Sequence, residues 1–105
     1  MASTFTERRG DQRVPLAMEC TLRRRIGSPI SCSTVDVGMG GMSVASGRPL
    51  APDERLAFEL GTNGGAPLTG FATVLRQQAR SIYALRFEQL QDAARAALAE
   101  ITRRD

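Results

Sequence analysis

The 105-residue sequence has no histidine, no tryptophan and no lysine, and only two cysteines, Cys20 and Cys32. Each absence removes a class of chemistry. Without histidine the usual general base near neutral pH is missing, and no set of cysteine and carboxylate residues has the spacing of a zinc site. Neither a catalytic residue, nor a metal centre, nor a cofactor is expected, so an enzyme is the last reading to consider. No stretch approaches the roughly 18 consecutive apolar residues of a membrane helix. The polar start Met1-Ala2-Ser3-Thr4-Phe5-Thr6 runs into charge, not into the apolar region of a signal peptide. A soluble cytoplasmic protein with no membrane insertion is expected. Repeats and low-complexity segments are absent too.

The missing lysine makes the positive charge one-sided: all 14 basic residues are arginine, with a net charge of +3. Arginine offers a planar fork that suits phosphate and guanine edges, although a genome rich in G and C produces the same bias. With 42% hydrophobic and 24% charged residues the composition is that of a folded domain, and the length suits one such domain.

Residues 1–8 show no periodicity and read as a flexible tail. Arg8, Arg9 and Arg13 then surround Gly10 and lead to Pro15, which predicts a basic arm over 8–15 with neither a stable helix nor a central strand. From 16 to 22 the apolar residues alternate, Leu16, Met18, Cys20 and Leu22, predicting a half-buried strand. A turn at Ile26-Gly27-Ser28-Pro29 leads to a second strand, with Ile30, Cys32, Thr34 and Asp36 expected on one face and Val35 and Val37 on the other. Closure of this hairpin about Gly27 and Ser28 makes Cys20 and Cys32 near cross-strand neighbours. They are expected to remain free thiols, because small apolar residues suit cores and the cytosol is reducing.

Further strands are expected at 42–46, at Leu56, Phe58 and Leu60, at 68–76 and at 81–87. Within the fifth, residues 71–75 are apolar enough to be covered on both faces. The period then changes. Leu90, Ala93, Ala94, Ala97, Leu98 and Ile101 recur at three and four residues, which predicts an amphipathic helix over about 91–104 with arginines in its last turn. The expected fold is all-β with one helix: a six-stranded antiparallel barrel over 16–88, capped by the C-terminal helix, within a single domain spanning 9–105.

The most informative stretch is Asp36-Val37-Gly38-Met39-Gly40-Gly41, where a carboxylate leads into three glycines between two strands. Such a turn has an ordinary structural explanation, with Asp36 bonding its own turn amides. Glycine also lets a flat ligand lie against the main chain. A ligand held between this turn and the arm, where Arg9 and Arg13 stand four residues apart, would be anionic and flat, with a donor for Asp36. Guanine meets each demand: N7 and O6 accept an arginine fork, N1 and N2 donate to a carboxylate, and phosphates take further arginines.

At these residues the sequence resembles the PilZ domain family, receptors for cyclic di-GMP in bacteria. Arg9-Gly10-Asp11-Gln12-Arg13 matches the family's RxxxR motif. The 36–41 turn matches its [D/N]xSxxG motif at Asp36 and Gly41 and departs from it at Gly38, where the family usually has serine. Likeness continues through Gly41-Met42-Ser43-Val44, Thr73-Val74-Leu75-Arg76 and Ala84-Leu85-Arg86-Phe87, covering residues 7–102. The resemblance implies that Arg9 and Arg13 grip guanine and phosphate, that Asp36 accepts from a guanine edge, and that Gly41 lets the base approach. It implies that Arg8 stacks on or bonds a second ligand molecule. Gly38 would forgo one hydrogen bond, worth about 0.5–1.5 kcal/mol.

The expected function is a stand-alone receptor and adaptor that binds cyclic di-GMP and passes the signal to a partner protein, through the arm or the helix. Two alternatives are an adaptor of the same family that does not bind the nucleotide, and a small basic barrel for single-stranded nucleic acid. The latter needs exposed aromatics among basic residues, whereas Phe58, Phe71, Tyr83 and Phe87 fall within strand periodicities that bury some or all of them.

Overall fold

A computed structural model describes residues 13–62 and 65–103. Seven antiparallel strands are formed: β1 Arg13–Pro15, β2 Glu19–Arg23, β3 Ile30–Gly38, β4 Gly41–Ser46, β5 Arg55–Leu60, β6 Leu68–Ala79 and β7 Ile82–Phe87, followed by helix α1, Asp92–Thr102. Six of them close into a barrel in the order β3, β2, β5, β6, β7, β4, with β4 pairing back onto β3. Closure pairs β4 with β3, so that among the described strands only the short β1 stands at an edge. The short β1 pairs with the far end of β3, beyond β2.

The strand expected over 16–22 is thus interrupted. Pro15 has no amide hydrogen to give, and 16–18 leave the ladder. Thr34 bridges the gap: its hydroxyl accepts from the Met18 amide at 2.8 Å and donates to the Leu16 carbonyl at 2.6 Å. One β-branched hydroxyl thereby satisfies two main-chain groups that a regular ladder would have paired. The end of the basic arm, Arg13–Pro15, is strand and not loop.

The core follows strand alternation. Leu22, Ile30, Met42, Val44, Leu56, Leu60, Val74 and Leu85 are fully buried, and the Phe58 and Phe87 rings pack with centroids 5.0 Å apart. Burying a side chain of this size contributes about 1.5–3 kcal/mol. Helix α1 closes the barrel by inserting Leu98, with Ala94, Ala97 and Ile101 beside it, and packs against β6 and β3. It ends at Thr102, so Arg103 is the C-cap residue and no arginine stands in the last turn.

Two expectations about faces are corrected. Phe71 and Leu75 are 43% and 39% exposed rather than covered; β6 shows its outer face, and the Arg55 guanidinium lies 3.9 Å above the Phe71 ring. Along β3 the alternation changes phase, since Thr34 pairs with Val44 but Asp36 pairs with Ser43, leaving Val35 as a bulge. Val37 therefore joins Ile30 and Thr34 inside, and Asp36 faces outward. A bulge commonly re-aims a side chain in this way.

Candidate ligand-binding site

The bulged end of β3 carries the site. Across β1 and β3, Arg13 is the register partner of Gly38 and Pro15 that of Asp36. On the other side of β3, Asp36 faces Ser43 of β4. Arg13 Nη1 donates to Asp36 Oδ1 at 2.7 Å and reaches Ser43 Oγ at 3.5 Å. The guanidinium thus crosses the outer face of β3, over the place where Gly38 has no side chain. Ser43 in turn donates to Gln78 Oε1 at 2.8 Å.

Arg13 and Asp36 are about a third exposed, at 34% and 29%, and an ion pair so open to water contributes about 0–1 kcal/mol to folding. Its value lies elsewhere, in an aimed cation beside a carboxylate whose partner can be exchanged at little cost. Next to it is a cleft of about 200 Å³ lined by Arg13, Gly40, Gly41, Leu75, Leu85 and Arg86. That is below the roughly 300–1,000 Å³ of a site that encloses a small molecule. It suits one flat ring lying on the glycine backbone, with the rest of the ligand on the surface. Arg86 lines the cleft together with Arg13, so this face has a second cationic group to offer an anion.

A larger groove of about 590 Å³ lies at the interruption between β1 and β2, lined by Leu16, Ala17, Met18, Glu19, Gly61, Thr62 and Ile101. Among the described residues that line it, the one charged side chain is the Glu19 carboxylate. The chemistry there disfavours an anion, and size alone does not select it.

Of the six residues expected at the site, Arg13, Asp36, Gly38 and Gly41 are brought to one end of the β3–β4 pair, whereas Arg8 and Arg9 lie outside the described residues. Gly41 has a packing reason of its own: a Cβ there would stand 2.2 Å from the Leu85 carbonyl oxygen and 3.2 Å from Arg86 Cα. Only a glycine lets β7 approach β4 so closely. The turn does not depend on left-handed glycine, for among the described glycines only Gly27 has such a φ, 111°. Sequence reasoning missed Ser43, Gln78, Leu75 and Arg86. The outward alternation of Gly41, Ser43 and Ala45 could have revealed the first, but bulges at 74–76 and 77–79 displace the β6 residues from simple alternation.

A family model for the PilZ domain matches residues 7–104. The chain belongs to the PilZ domain family. PilZ domains are receptor and adaptor domains, a family of cyclic di-GMP receptors. Solved PilZ structures share the barrel and helix. The PilZ domain of YcgR from Escherichia coli with c-di-GMP aligns with a TM-score of 0.76 at 16% identity, over 87% of this chain and 86% of that one. The PilZ domain of CeSA from a cellulose-synthesizing bacterium gives 0.69 and 16%, over 87% and 94%. The inhibitor of motility MotI/DgrA of Bacillus subtilis gives 0.71 and 16%, over 86% of this chain and 47% of that one. At such identity the likeness concerns the fold. No curated protein matches the chain. Among the described residues no helix is long and apolar enough to cross a membrane.

Proposed function

We propose that this PilZ domain is a receptor for cyclic di-GMP, which it binds on the outer face of the barrel at the end of β3, and that it relays occupancy to a partner protein. The observation that carries the reading is the meeting of Arg13 with Asp36 at 2.7 Å beside the exposed Gly40 backbone and the 200 Å³ cleft. Asp36 accepts from N1 and N2 of guanine, and Arg13 presents its fork to O6 and N7 or to a phosphate. Exchange of the Arg13 contact for guanine donors leaves both groups paired, so the exchange costs little. Arg9 supplies the second guanidinium of the RxxxR motif, and Arg8 contacts a second ligand molecule where two are bound. Arg8, Arg9 and Arg13 engage the ligand together at the Asp36 edge, and the surface so altered is what a partner protein reads.

Single-stranded nucleic acid is a poorer fit. Phe58, Tyr83 and Phe87 are buried, and the exposed Phe71 already carries Arg55 on its ring. The adaptor reading without nucleotide draws on Gly38 standing where the family's motif has serine.

Isothermal titration of cyclic di-GMP into the protein tests the proposal, with GTP as competitor and Arg13→Ala and Asp36→Ala as controls. Micromolar or tighter binding that both substitutions remove supports the receptor, and a stoichiometry near two supports the role given to Arg8. Absence of heat at high ligand concentration overturns it in favour of the adaptor.

A further inference from the structure

The contacts around Arg13 are directional. Arginine has only donors, so at the Arg13 contact the Ser43 oxygen must accept. The one hydroxyl proton of Ser43 is committed to Gln78 Oε1 at 2.8 Å, which turns a lone pair towards Arg13 Nη1, 3.5 Å away. Ser43 is 1% exposed, so its rotor is not free to turn to water. Its backbone is fixed on both sides, by Asp36 in β3 and Ala84 in β7. Gln78, from the β6 end of the barrel, is thus connected to Arg13, from β1, through one buried hydroxyl.

The register explains why the hydroxyl is needed at this position. Arg13 faces Gly38, which offers no side chain to steady it. The guanidinium can cross β3 at that point, and it meets Asp36 on β3 itself and Ser43 on β4 beyond it. Asp36 alone would hold one Nη and leave the plane of the guanidinium to rotate about it. A second acceptor from the neighbouring strand fixes the plane.

We infer that Ser43, oriented by Gln78, is a positioning residue for Arg13, and that it takes over from β4 the acceptor role that the side chain at residue 38 cannot play. The inference deepens the proposed receptor site and rests on that reading for its effect on affinity, but not for its effect on Arg13 itself. Ser43 need not touch the ligand. It sets the guanidinium in the plane of an incoming guanine edge or phosphate, so the ligand finds the fork already aligned.

The test is a double-mutant cycle between positions 43 and 38, read in two ways. Calorimetric titration with cyclic di-GMP is expected to show Ser43→Ala binding about three- to tenfold more weakly, the worth of one net hydrogen bond. Gln78→Leu should weaken binding in the same direction, because it frees the hydroxyl proton. In the Gly38→Ser background Ser43→Ala should cost less than about twofold, since a hydroxyl at 38 then serves Arg13. Equal losses in both backgrounds, or no loss in the parent, overturn the inference. The second reading uses no ligand: the guanidinium 1H–15N signals of Arg13 should show hindered rotation in the parent, free rotation in Ser43→Ala, and hindered rotation again in Gly38→Ser/Ser43→Ala. If the protein takes up no cyclic di-GMP at all, the receptor reading fails while these signals still decide on Ser43. Rotation unchanged by Ser43→Ala would sink the positioning role whatever the titration shows.

Discussion

Arg13 faces Gly38 across β1 and β3, yet its guanidinium ends 2.7 Å from Asp36, two residues further back along β3. The arginine reaches it by lying across the strand at the one outward position that has no side chain. A β-branched residue there would stand in its way. Gly38→Val is therefore expected to break the contact with Asp36 and to weaken cyclic di-GMP binding by more than tenfold in a protein whose far-ultraviolet circular dichroism is unchanged. Valine favours strands, so the fold should tolerate it. Undiminished affinity in Gly38→Val would show that Arg13 reaches the ligand by another route.

Asp36 separates function from stability. Its ion pair with Arg13 is open to water on both sides, so Asp36→Ala is expected to lower the unfolding free energy by less than about 1 kcal/mol. The same substitution should remove ligand binding. Urea unfolding and titration on one preparation check both halves, and a stability loss of several kcal/mol would mean that Asp36 is a structural residue.

Gly41 should behave in the opposite manner. A methyl group at this position would collide with main chain, the Leu85 carbonyl oxygen, which no side-chain rotation can relieve. Gly41→Ala has to push β4 and β7 apart, and overpacking of this kind costs about 1–3 kcal/mol. In a domain of this size each kcal/mol lowers the melting temperature by roughly 4–8 °C. Thermal unfolding without ligand is the measurement. An unchanged melting temperature would leave ligand approach as the only reason for a glycine at this position.

These residues show how far the sequence could be read. Core positions such as Leu56, Phe58 and Leu60 were legible because a half-buried strand repeats every two residues, and helix α1 because its apolar residues return every three or four. The partnership of Cys20 with Cys32 followed from counting across a hairpin. Asp36 was placed on the wrong face of β3, because a bulge changes the phase of alternation and no residue type announces one. Phe71 and Leu75 were expected to be covered because apolarity alone cannot say which face of β6 meets the core. The site was legible as a pair of motifs, but the hydroxyl of Ser43 and the amide of Gln78 were not. Their partners depend on which strands lie side by side, and that is a property of the closed barrel.

The facing cysteines give the last prediction. Cys20 is buried in the core, and desolvation, with the Cys32 sulfur opposite as a lesser cause, pushes its thiol up to about 12 from an ordinary 9.0. Burial raises Cys32 as well, partly opposed by a hydrogen bond with Ser46. The folded state therefore holds the Cys20 proton more tightly than the unfolded chain does. Its contribution to stability is complete below about pH 9 and is lost as the pH rises from there towards 12, because the unfolded chain ionises first. In urea unfolding at successive pH values, the stability difference between the parent and Cys20→Ala should be constant up to pH 8 and should narrow above pH 9, by at most about 1.4 kcal/mol per unit. Alkylation gives a second check: at pH 8 the folded protein presents far less Cys20 thiolate than the unfolded chain, so iodoacetamide should label Cys20 only when urea is added. Rapid labelling of Cys20 in the native protein, or a difference that does not narrow above pH 9, would contradict this account of the core.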